Sequence, residues 1–250
     1  MELLHSILRN THIIAGTLAI IAFWGPILTK KGSRSHKQTG SMYRLAMLVV
    51  AASAITSTTF ILLNPSWFFG EIIGNAANPE AVTLQMRSFA SFLFFLSVLT
   101  LTLLVHASLV IRDKEQRKLL RHPSYSLLLG LLVASAVALA GVAIYVQSIL
   151  YGAFALIGIV LFFQIRNYVY YHSKKPTHWL HEHIGAFIGS GIGAYTAVTV
   201  FGASRLLSGL GSFSWITWIL PGLIGSFIIY YAQKRWSPAA YPKRESGHHL

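Results

Sequence analysis

The chain has 250 residues, 54% of them hydrophobic and only 11% charged, with 20 Lys and Arg against 7 Asp and Glu and a net charge of +13. That balance excludes an ordinary soluble globular domain. The basic excess is divided among short segments between apolar runs, which excludes a nucleic-acid-binding face, and the absence of cysteine excludes disulfides, a Cys-ligated iron–sulfur cluster and a thioether-linked haem.

Seven apolar runs are long enough to cross a hydrocarbon core about 30 Å thick, which takes roughly 20 residues at about 1.5 Å each. They fall near 12–29, 42–63, 83–111, 125–146, 149–171, 182–203 and 213–232. The expected fold is an all-α transmembrane bundle of seven spans over residues 1–235, followed by a short cytoplasmic tail, 236–250.

The first run ends in WGPILTKKGSRS without a small-residue cleavage site, so it is expected to be a retained helix, kinked at Gly25-Pro26. Lys30, Lys31, Arg34, Lys37 and Arg44 follow it. Basic residues gather again after the third, fifth and seventh spans, and the alternation places the N-terminus outside and the C-terminus in the cytoplasm, as in a bacterial cytoplasmic membrane. Lys30, Lys31, Arg34, Lys174 and Lys175 are expected to meet anionic lipid head groups, each contributing about 1 kcal/mol.

The second span carries Ser53, Thr56, Ser57, Thr58 and Thr59, hydroxyls that bond their own helix backbone. NPSWFFGEIIGN then reads as an outer interfacial loop, where aromatic rings settle. In NPEAVT and RHPSYS a proline fits the first turn of a helix, so the third span is expected to start near Pro79 and the fourth near Pro123. The fourth and fifth spans, with almost no loop between them, form a tight pair.

The sixth span carries Gly185, Gly189, Gly193 and Ala197 every four residues, a ridge for close helix approach within the chain or in an oligomer, and is expected at the centre. The seventh span has Pro221-Gly222 and no lysine in its embedded part, against a Schiff-base retinal protein. No Asp, Glu, Lys or Arg lies near the middle of any run, against an ion-coupled carrier of the usual kind.

The histidines carry what functional signal there is. His12 opens the first span on the outer side, an interfacial imidazole with only His5 near it in sequence. On the inner side His106 lies just inside the end of the third span, and HWLHEHIG opens the sixth. If that helix begins by Thr177, His178, His181 and Glu182 share a face, a first shell for a divalent metal that His172 or His106 completes. Alternatively His106 pairs with His183 or His181 across a single b-type haem, with room made by Gly185 and Ala186. The bland reading is a solvated helix start with His and Glu hydrogen-bonded to loop and head groups.

Residues 12–44, HIIAGTLAIIAFWGPILTKKGSRSHKQTGSMYR, combine His12, Ala15 and Gly16 with a His-Lys-x-x-Gly-x-x-Tyr element at His36, Lys37, Gly40 and Tyr43. On these motifs the chain resembles the membrane proteins grouped as domain of unknown function 2306. His178 and Trp179, or His181, match that family's histidine-led element before a later helix, although HEHIG stands where more arginine is usual. The resemblance implies a multi-helix membrane fold and no established activity. Physically, the second element fits a loop returning to the membrane, with Gly40 at the turn and Tyr43 as interfacial anchor, or with His36 folded back as a further ligand. The leading functional expectation is a redox or metal protein with an inner histidine site. The alternative is a non-catalytic carrier, channel or lipid-binding protein.

Overall fold

The computed structural model describes residues 1–114, 116–171, 178–202 and 216–235. It is helical, with no strand among the described residues. The elements are α1 (Glu2–Leu28), α2 (Arg34–Leu63), α3 (Ser66–Gly74), α4 (Pro79–Asp113), a 3-10 turn (Leu119–Arg121), α5 (Pro123–Tyr145), α6 (Ile149–Tyr170), α7 (His178–Ala197), running on as a π turn (Val198–Gly202), and α8 (Ile216–Arg235). Seven of these, all but the short α3, are long and apolar enough to cross a membrane, so the chain is a multi-pass membrane protein by length and composition. Leu18, Ile21, Leu127, Ile149, Leu223 and Phe227 stand exposed on the outer surface of the bundle, where lipid tails would cover them.

Local chemistry sets the ends. Ser33 caps α2 through His36 N–H, Asn78 caps α4 by accepting from Ala81 N–H at 3.0 Å, and Ser148 caps α6 by accepting from Tyr151 N–H. Pro79 and Pro123 occupy first helical turns, where a missing N–H costs nothing.

Three stretches differ from the sequence-based expectation. NPSWFFGEIIGN is not a loop: most of it forms α3, whose Phe68 stacks on His5 at 4.6 Å between ring centroids. That aromatic shelf gives the first turns of α1 something to pack on, so α1 starts at Glu2, ten residues before the apolar run. The element around His36 is not a loop either, because the Ser33 cap starts α2 at Arg34. Gly40 therefore makes no turn. It lets α2 approach α1 at Pro26, just as Gly25 lies against Thr39. Tyr43, expected at the interface, is buried and shares a 2.9 Å hydrogen bond with Ser190 of α7.

The centre belongs to α4 rather than to the sixth span. Phe92, Phe95, Val98, Leu103, Ala107 and Val110 are buried on α4, which packs against α2, α5 and α7. Helix α7 lies beside it, joining α4 to α1 and α8. Its glycine ridge is filled from within the chain, Gly189 by Leu103 and Gly193 by Thr100 of α4, and Gly185 by Gln233 of α8. Three of the five second-span hydroxyls bond as expected, Ser53, Thr58 and Thr59 each donating to a carbonyl one turn back.

Candidate functional site at the basic end

One end of the bundle collects the last turns of α1, α4, α6 and α8 and the first turns of α2, α5 and α7. His106 sits there on α4, fully buried. Both of its ring nitrogens are engaged. Nδ1 lies 2.6 Å from the Tyr125 hydroxyl in the first turn of α5, and Nε2 lies 3.3 Å from Glu182 Oε2 in α7. The other carboxylate oxygen of Glu182 lies 3.4 Å from His178 Nε2, one helical turn back. Four side chains from three helices thus form a continuous row, Tyr125, His106, Glu182 and His178.

The row runs from a buried end to a half-buried end. His106 is 1% exposed at its side chain, whereas Glu182 and His178 are 28% and 33% exposed. Tyr168 of α6 braces the row, meeting His106 edge-on at 5.6 Å and His178 edge-on at 5.0 Å. Arg117 stacks over the outer face of Tyr168 at 4.3 Å and donates from Nη1 to the carbonyls of Tyr168 and Tyr171, the latter at 2.6 Å. Arg117 is buried, and its Nε meets no hydrogen-bond partner among the described residues. Its backbone is held at φ 55° by the connection between α4 and α5, where Asp113 accepts from the Leu119 and Leu120 N–H groups. Arg121 adds two bonds from Nε and Nη2 to Val169 O. Guanidinium groups thereby satisfy carbonyls that the end of α6 would otherwise leave open.

Other expected site residues lie apart from this row. His183 donates from Nδ1 to Ala107 O at 2.9 Å, and His36 donates from Nδ1 to Pro26 O at 3.0 Å, so each is tied to backbone. The Nε2 atom of His181 is buried without a partner among the described residues, and its carbonyl accepts from Gln233 of α8. His172, Lys174 and Lys175 lie outside the described residues. On the opposite end, His12 has a partner the sequence did not reveal: Nδ1 lies 3.1 Å from Ser53 Oγ of α2.

These contacts test the ligand readings. A haem ligand needs a ring nitrogen aimed into an apolar slot, but Tyr125 and Glu182 take up both nitrogens of His106. A metal shell needs several converging donors, and among the described residues no three His, Asp or Glu groups converge in that way. The arrangement does not support haem or metal binding. What it can do is hold a proton. With Glu182 ionised, Nε2–H of His106 donates to the carboxylate and Nδ1 accepts from Tyr125. After one proton is added, Nδ1–H donates to the Tyr125 oxygen, whether the extra charge rests on the imidazole or neutralises the carboxylate. The same heavy atoms serve both patterns.

Sequence reasoning singled out His106, Glu182 and His178 but not Tyr125, Tyr168 or Arg117. The readable signal was Tyr125, which falls in the first turn of its helix as His106 falls near the end of the preceding one. Arg117 carried none, since it looks like any other residue of a basic loop. Comparison with protein-family models, curated proteins and solved structures gave no match.

Proposed function

We propose that the chain is a membrane carrier or channel whose activity is set by proton binding, with Tyr125, His106, Glu182 and His178 as the proton-binding row at the end that faces the cytoplasm. The observation that carries this reading is the buried His106 imidazole clamped between a hydroxyl and a carboxylate. Ionisable groups inside a span are costly and mark proton or substrate paths, and imidazole is the side chain whose charge ordinarily changes near neutral pH. The half-buried His178 and Glu182 supply the entry, and the buried His106 and Tyr125 supply a place to keep the proton. Because the row joins α4, α5 and α7, a change in its charge acts on the contacts that α4 makes with α5 and α7. The basic residues around this end favour the cytoplasmic orientation.

The test is pH-difference infrared spectroscopy of the protein in lipid vesicles between about pH 5 and pH 8, the range in which imidazole titrates. A proton-uptake band, of imidazole or of a carboxylic C=O according to which group takes the proton, should appear on acidification and be lost in both His106→Phe and Glu182→Gln. The chain has only 7 acidic residues, so the carboxyl assignment is tractable. A spectrum that stays unchanged in both variants overturns the reading.

A further inference from the structure

The basic residues at this end divide into two groups. Those at the α4–α6 side are spent inside the fold: Arg117 and Arg121 on the carbonyls of α6, Lys114 over the Trp179 ring at 5.6 Å. At the α1–α2–α8 corner Lys37 and Arg235 make no such contact among the described residues, and Lys31 does so only in part. Lys31 follows α1, Lys37 lies in the opening turns of α2, and Arg235 ends α8; all three are exposed. Lys31 and Lys37 both act electrostatically on His36, and Arg235 acts on Lys31. The charged neighbours that act on Lys31 and His36 among the described residues, Arg235, Lys31 and Lys37, are all basic. Partial burial and then Arg235 pull Lys31 below the usual lysine range.

Lys31 is also held in place. Its Nζ donates to Pro26 O at 2.6 Å and to Ile27 O at 2.9 Å, the open carbonyls at the end of α1. An ammonium has three protons to give, so one is left for a further acceptor. Three elements thus bring together like charges that no described carboxylate neutralises, one of them fixed by two backbone bonds.

We infer that the α1–α2–α8 corner, built on Lys31, Lys37 and Arg235, binds the phosphate of an anionic phospholipid head group. A phosphate there relieves the repulsion between Lys31 and Arg235 and fastens α8 to the α1–α2 pair. Unlike a general attraction of basic loops for an anionic surface, this site should depend on these three positions and not on total charge.

The experiment is thermal unfolding of the full chain in nanodiscs of phosphatidylcholine alone and of phosphatidylcholine with phosphatidylglycerol. The wild type should melt higher with phosphatidylglycerol. Lys31→Gln/Lys37→Gln/Arg235→Gln should lose more than half of that rise, while Arg112→Gln/Lys118→Gln/Arg166→Gln, which removes equal charge elsewhere, should keep it. The charge-preserving Lys31→Arg/Lys37→Arg/Arg235→Lys variant should recover it, which separates lost binding from lost folding. No rise in the wild type, an equal loss in both charge-removing variants, or failure of the charge-preserving variant to recover overturns the site. Inorganic phosphate added to phosphatidylcholine nanodiscs distinguishes the source: if it reproduces the rise, the ligand is a soluble anion and the lipid assignment fails.

Discussion

His106 Nε2 lies 3.3 Å from Glu182 Oε2, and this contact ties α4 to α7 at a point where the histidine is fully buried and the carboxylate is half-buried. Removing the carboxylate leaves a buried N–H without its acceptor, which costs about 1–3 kcal/mol. Glu182→Ala should therefore lower the unfolding midpoint in detergent, and Glu182→Gln, which keeps an acceptor oxygen in reach, should lower it less. Equal midpoints for the two variants would show that the contact carries no such weight.

Tyr125 meets the other nitrogen of the same ring at 2.6 Å. Its hydroxyl and the Glu182 carboxylate polarise one imidazole from both sides, so their contributions should be coupled rather than additive. A double-mutant cycle of Tyr125→Phe and Glu182→Gln, read by denaturant or thermal unfolding, is expected to show an interaction energy of about 0.5–3 kcal/mol. Strict additivity would mean that His106 does not link them.

Arg117 offers a test of how the row is braced. A lysine at 117 keeps the charge but loses the planar group that stacks on Tyr168 and reaches two carbonyls. Arg117→Lys should thus destabilise nearly as much as Arg117→Ala, by about 1.5–3 kcal/mol for hydrogen bonds from a charged group. It should also shift the imidazole bands of His106 and His178, because Tyr168 packs edge-on against both. Wild-type spectra in Arg117→Lys would confine its role to the end of α6.

How much of this could be read from the chain depends on how local each determinant is. Span number and helix starts at Pro79 and Pro123 are written in hydropathy and in single residues, and the structure has them. The pairing of His178 with Glu182 follows from one helical turn. The bond from His106 to Tyr125 depends on how α4 and α5 are juxtaposed, and the brace from Arg117 depends on the packed end of α6, which periodicity does not encode. The element around His36 misled for a related reason. Gly40 suits a turn and a close helix contact equally well in sequence, and only the Ser33 cap and the approach of Pro26 decide between them.

The glycines of α7 divide the same way. The four-residue ridge at Gly185, Gly189 and Gly193 was legible, but the tightest contact is at Gly191, off that ridge. A Cβ there would collide with the ring of Phe23 in α1, which is itself buried and stacked on Phe187 with centroids 5.6 Å apart. The ring cannot swing aside without breaking its contacts with Tyr43 and Tyr195. Gly191→Ala should therefore cost about 1–3 kcal/mol, the usual price of overpacking. Gly130→Ala in α5, where a Cβ meets nothing within 4 Å, should be neutral or slightly stabilising. Thermal midpoints of the two variants, measured side by side in one detergent, check the contrast. If Gly191→Ala melts with the wild type, α1 does not lie against α7 through Phe23, and the bond between Tyr43 and Ser190, which depends on the same seam, would have to be re-examined by Tyr43→Phe.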